Sequence, residues 1–141
     1  MAPGDIYRHE RFYRDSDSGE LLPKYILFLA PTASGDWVAR LLTSREAMRP
    51  RNPACYHGDP YPGFYLGVPG LPLTHDTWID LRKLDDFDPV DVRASIGTGV
   101  MRFVGRLATE ALIGALDCTA GALDTTIRQE RALRDQLALL R

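Results

Sequence analysis

The chain has 141 residues, with 17 Lys and Arg against 19 Asp and Glu, so its formal charge is −2. At 45% hydrophobic and 26% charged residues it has the composition of one globular domain, which excludes a wholly disordered, collagen-like or coiled-coil chain. The near-neutral balance also excludes the overall basic footprint of a general nucleic-acid binder, so any polyanion site must be a local patch.

No stretch approaches the roughly 20 apolar residues of a membrane span. Residues 1–20 are charged almost throughout, unlike the apolar segment of a secretory leader. The expectation is a cytoplasmic protein with no membrane contact, and Cys55 and Cys118 are accordingly expected as reduced thiols.

Nine of the ten prolines fall between Pro3 and Pro72, the tenth is Pro89, and none follows. Short, turn-punctuated elements therefore come first and uninterrupted helices second. Gly4–Arg8 is the first strand candidate. Lys24–Ala30 is a continuous apolar run ended by Pro31, and Asp36–Thr43 is a second run with polar residues admitted; the hairpin-sized Pro31–Gly35 separates them. Gly63–Val68 and Thr77–Leu81 are shorter strand candidates, the latter anchored by Trp78. Five short strands in this span predict a small β-barrel.

Beyond Pro89 the apolar period changes. Val100, Phe103, Val104, Leu107, Ala111, Leu112, Ala115 and Leu116 recur at helical spacing, which predicts one long helix or two shorter ones over 90–116, broken near Gly97-Thr-Gly99. A last helix, capped by Asp124 or Thr125, carries an apolar stripe of Ile127, Leu133, Leu137 and Leu140. The predicted class is mainly β with C-terminal α: a barrel over 1–91 and a helical segment over 92–141, packed on the barrel or at a dimer interface.

Four segments in order, Gly4-Asp-Ile-Tyr7, the strand opened by Lys24, the strand ending Leu42-Thr43-Ser44, and Leu73-Thr-His-Asp-Thr-Trp-Ile-Asp-Leu81, together resemble the MazF/PemK toxins. The resemblance covers about residues 4–91. It implies an SH3-like barrel and a dimeric, single-strand-specific endoribonuclease that works without metal or other cofactor and is held by an antitoxin protein. It also implies that Lys24 stands where the family carries a catalytic Arg, and that Thr43, with Ser44 beside it, matches the catalytic Thr. Lys offers a phosphate a point charge where Arg offers a planar fork.

Cleavage of RNA of this kind requires a base for the ribose 2′-hydroxyl, a cation for the developing phosphorane charge and donors that position the phosphate. Lys24 would be the cation and Thr43 and Ser44 the donors; His57 and His75 are the candidates for the base, histidine being the residue type best suited to proton transfer near neutral pH, and the sequence leaves the base unassigned. Arg40, Arg45, Arg49 and Arg51 form the densest basic segment, and Tyr56, His57 and Tyr61 follow it. Basic residues beside aromatic ones suit single-stranded RNA, because bases stack on rings while Arg tracks phosphate.

Cys55, His57 and Asp59 alternate, and in an extended segment they would share a face. That pattern is open to three readings: a metal site, a nucleophile with its base, or a loop fixed by its Pro and Gly turns. The first two need a partner from elsewhere in the chain, and the expectation is no metal. The competing functional class is a non-catalytic protein-binding module, with a barrel groove and a C-terminal amphipathic helix that dimerises.

Overall fold

β1 covers Asp5–Arg14, β2 Leu21–Pro31 and β3 Trp37–Thr43, and these three form an antiparallel meander at the centre of the computed structural model, which describes residues 1–141. β4 (Cys55–Tyr56), β5 (Gly63–Gly67) and β6 (Thr77–Asp80) continue the sheet beyond β3. After α1 (Pro89–Gly97), β7 (Met101–Arg106) pairs with β1 at the opposite edge, and α2 (Thr109–Ala120) and α3 (Ile127–Leu140) end the chain. The order across the seven-stranded antiparallel sheet is β4-β5-β6-β3-β2-β1-β7. The protein is thus mainly β with a C-terminal helix, as the sequence predicts.

Side-chain alternation along the strands gives the sheet two apolar faces. Leu27, Leu29, Val38, Leu42, Ile79 and Leu81 pack with Leu112 and Leu116 of α2 and Leu133 and Leu137 of α3. Ile26, Phe28 and Ala39 occupy the other face with Val92 of α1 and Met101 of β7. By the same alternation Lys24 falls on the face of Ile26, and Thr43 on the face of Ala39.

The Gly4-Asp5-Ile6 start has a physical explanation. Gly4 adopts φ +93°, and a Cβ there would lie 3.3 Å from Leu112 Cδ2, so both conformation and space favour glycine. Its N–H donates to the Phe28 carbonyl at 2.8 Å and its carbonyl accepts from the Leu107 N–H at 2.9 Å. Asp5, almost fully buried, pairs with Arg106 at the end of β7. The motif locks β1 between β2 and β7.

Two expectations are corrected. Residues 101–106 are a strand, not part of a helix. A short apolar run fits either period, and here Phe103 and Val104 favour the pleated surface while β1 supplies unpaired backbone groups to bond. The seventh strand of the sheet therefore comes from beyond residue 91. The last helix is capped by Thr126, whose side chain accepts from the Gln129 N–H while the Gln129 side chain accepts from the Thr126 N–H, rather than by Asp124 or Thr125. In that helix Leu133 and Leu137 are buried against the chain's own sheet, and Ile127 is largely exposed.

Candidate functional site

Antiparallel pairing brings the start of β2 beside the end of β3, with Tyr25 opposite Leu42. One residue further out, Lys24 and Thr43 line one cleft of about 310 Å³. Ser44 and Arg45 follow Thr43 along its rim, and Pro72, Leu73, Thr74, His75 and Thr77 form the facing wall. Thr43 Oγ1 accepts the Arg45 N–H at 3.1 Å, a local turn that fixes the chain as it leaves β3. The Thr43 hydroxyl hydrogen remains available to a ligand.

The charges at this cleft are unbalanced. Neither Lys24 nor Arg45 has a carboxylate within ion-pair distance, whereas Arg51, Arg82 and Arg106 all do. The Lys24 ammonium lies 5.1 Å from the centre of the Tyr13 ring, a cation–π contact. Burial pushes its pKa below the ordinary lysine value; Asp80 opposes that shift, and Arg45 and Arg82 add to it. Two cations without counter-ions beside the hydroxyls of Thr43, Ser44 and Thr74 make a site suited to a phosphate.

A second polar group lies at the base of β6. Asp80 accepts from Arg82 through both carboxylate oxygens, the shortest contact being 2.7 Å, and Arg49 approaches it at 3.7 Å. Burial alone would raise the Asp80 carboxyl, but Arg82 and Arg49 outweigh it and hold it below the usual carboxylate range. Both guanidiniums also face the Tyr61 ring, Arg49 at 5.3 Å and Arg82 at 5.1 Å from its centre.

The predicted RNA-binding residues divide sharply. Arg45 lines the cleft and is exposed. Arg51 borders the adjoining hollow with Ser44 and His75, its guanidinium bound to Asp76 at 2.8 Å. Tyr61 stays partly exposed beside Arg49 and Arg82, outside the cleft, and Tyr56 is half-buried in β4. Arg40 and Arg49 are corrections, because their side chains are buried and offer RNA no surface. Arg40 donates to Ala39, Thr125 and Gln129; Arg49 donates to the Arg45 and Pro62 carbonyls. Local charge density along a sequence does not tell a guanidinium in solvent from one that ties two elements together.

His57 is the third correction, since its imidazole does not reach the cleft. Its Nε2–H donates to the Cys118 carbonyl on α2 at 2.8 Å. Cys55 and Cys118 are joined as a disulfide across 63 residues, contrary to the reduced pair expected. The packing of α2 on β5 accounts for this: Phe64 sits against Gly114, whose missing side chain leaves its place to the ring. Of the two candidate bases only His75 stands at the cleft. Nothing local to the chain distinguishes it from His57, because the approach of the 72–77 segment to β2 is a tertiary contact.

No protein-family model matches the chain, and comparison with curated proteins and with solved structures finds no match. No helix is long and apolar enough to cross a membrane.

Proposed function

We propose that the chain is a diverged MazF/PemK-like toxin that cleaves single-stranded RNA at the Lys24–Thr43 cleft. The observation that carries this reading is the pair of cations without counter-ions, Lys24 and Arg45, facing one cleft with Thr43 and Ser44 at the meeting ends of β2 and β3. These are the positions at which the family resemblance, drawn from sequence order alone, locates the chemistry. An SH3-like barrel belongs to the same proposal, supported by the register shifts between β1 and β2, β2 and β3, and β5 and β6, which bend a sheet. A homodimer, an antitoxin partner and a cytoplasmic site of action go with it.

The reaction proposed is attack of a ribose 2′-oxygen on the adjacent phosphorus with departure of the 5′-oxygen. The O–P bond that forms closes a 2′,3′-cyclic phosphate, and the P–O bond that breaks releases a 5′-hydroxyl. His75 takes the 2′-hydroxyl proton and returns one to the leaving oxygen. Lys24 and Arg45 offset the charge that develops on the phosphoryl oxygens, and the Thr43 and Ser44 hydroxyls orient them. No step calls for a metal ion.

The test is incubation of long single-stranded RNA with the protein in the presence of a chelator. Fragments ending in cyclic phosphate are expected; strict dependence on added metal would refute the mechanism. The competing reading, a protein-binding module, draws on the Lys at a position where the family has Arg. Absence of cleavage over a broad range of RNA sequences would favour that reading.

A further inference from the structure

The geometry points to a redox-gated binding site for zinc or a similar soft divalent cation at Cys55, His57 and Cys118, on the helix-covered face of the sheet. A plain disulfide needs no imidazole. Here His57 Nε2 lies 3.3 Å from Cys55 Sγ and 3.5 Å from Cys118 Sγ, so one ring nitrogen converges on both sulfurs. In a tetrahedral zinc site, with Zn–S about 2.3 Å and Zn–N about 2.0–2.1 Å, ligand nitrogen and sulfur stand about 3.6 Å apart. Both nitrogen–sulfur edges of such a tetrahedron are thus nearly in place. The remaining sulfur–sulfur edge, about 3.8 Å by the same geometry, becomes available once the bond between them is broken.

The backbone holds the three residues together independently of that bond. Cys55 and His57 sit two residues apart on and just after β4, which pairs with β5. α2 is held to the sheet by buried Leu112 and Leu116 and by the Phe64–Gly114 contact, and it carries Cys118 in its last turn. The Cα atoms of Cys55 and Cys118 are 5.6 Å apart, so rotation of the two side chains suffices to part the sulfurs. No fourth His, Cys, Asp or Glu joins the group. A cation there has three protein ligands and one position open to water, reached through the half-exposed Cys55 and His57. Two thiolates with one imidazole select zinc or cobalt over magnesium or calcium.

A dithiol reductant passes two electrons to the Cys55–Cys118 bond and closes to its own disulfide; its two protons leave the protein as two thiols. The cation then binds both sulfurs as thiolates, releasing those two protons. His57 gives up its bond to the Cys118 carbonyl and moves its proton from Nε2 to Nδ1, so that the Nε2 lone pair faces the metal.

The experiment uses the full chain, reduced with dithiothreitol, freed of reductant without air, and titrated with Co²⁺ beside an unreduced sample. Thiolate-to-cobalt charge-transfer absorption saturating at one ion per chain is expected in the reduced protein, lost on adding Zn²⁺ and absent without reduction. Cys118→Ser should halve that absorption and weaken binding at least tenfold, while His57→Ala should weaken binding with the charge-transfer band retained; circular dichroism reports whether each variant is folded. The proposal is overturned if the reduced wild-type chain gives no charge-transfer band, folded or not. It is equally overturned if the unreduced chain binds as well, or if folded Cys118→Ser or His57→Ala binds as tightly as wild type.

Discussion

The Arg40 guanidinium donates to the Gln129 side-chain oxygen at 3.2 Å, joining β3 to α3 across 89 residues of sequence. The same Gln129 amide donates to the Leu84 carbonyl at 3.2 Å and to Asp86 at 2.9 Å, so one side chain ties the helix, the sheet and the 84–86 segment. Arg40 is buried without an ion-pair partner and its Nε has no hydrogen-bond acceptor. Its direct hydrogen bonds go to the neutral oxygens of Ala39, Thr125 and Gln129, while burial disfavours its charge and Asp86, Asp124 and Asp80 favour it from beyond ion-pair distance.

Gln129→Ala should therefore destabilise the fold by about 2–3 kcal/mol, the cost of stranding a buried charged donor. Arg40→Met, which removes the charge itself, should cost less despite the larger change in chemistry. Denaturant unfolding of both variants checks the order. RNA cleavage by the folded proteins should be unchanged, because neither residue reaches the cleft.

Lys24→Ala should slow RNA cleavage by about 10²–10³, the usual effect of losing one electrostatic stabiliser of a transition state. Lys24→Arg should preserve or raise the rate, since the guanidinium adds a two-pronged contact to the phosphate. Thr43→Ala should slow cleavage as well. Single-turnover rates on one RNA decide it, and an unaltered rate in Lys24→Ala would remove this residue from the mechanism.

The pH profile carries a further expectation. Burial holds the Lys24 pKa below that of an ordinary lysine, so its proton is lost at lower pH than from a free side chain. Cleavage that needs the charged form should fall on an alkaline limb lying below the ordinary lysine range. Lys24→Arg should move that limb upward, because a guanidinium keeps its charge. A limb that stays in place would assign it to another group.

Asp80 predicts an acid limit to stability. Its carboxyl titrates lower in the fold than in the unfolded chain, because Arg82 and Arg49 more than offset its burial. The unfolded state therefore binds the proton first as pH falls, so the stabilisation is complete above the ordinary carboxylate range and is lost on descent through the native pKa. Wild type should exceed Asp80→Asn in stability at neutral pH, and the gap should close in acid. Urea unfolding at several pH values measures it.

His75→Gln should lower cleavage at neutral pH, because the residue proposed to take the 2′-hydroxyl proton is gone. His57→Gln, on the opposite face of the sheet, should leave the rate of the unreduced protein unchanged. Equal effects of the two substitutions would deny His75 its role.

Much of this protein can be read along the chain. The run from Lys24 to Ala30 declares a central strand, because an uninterrupted apolar segment between turn residues can be buried on both faces. Thr43 and Lys24 could be placed together because a hairpin of known sense must bring those ends side by side. Tertiary structure decided the rest. Whether Met101–Arg106 coils or extends depends on β1 offering an edge, whether Arg40 meets solvent or Gln129 depends on where α3 lies, and whether Cys55 finds Cys118 depends on how α2 crosses β5. Local sequence sets periodicity and turn chemistry, whereas burial and partnership belong to contacts between segments far apart in the chain, and those are fixed only when the whole core packs.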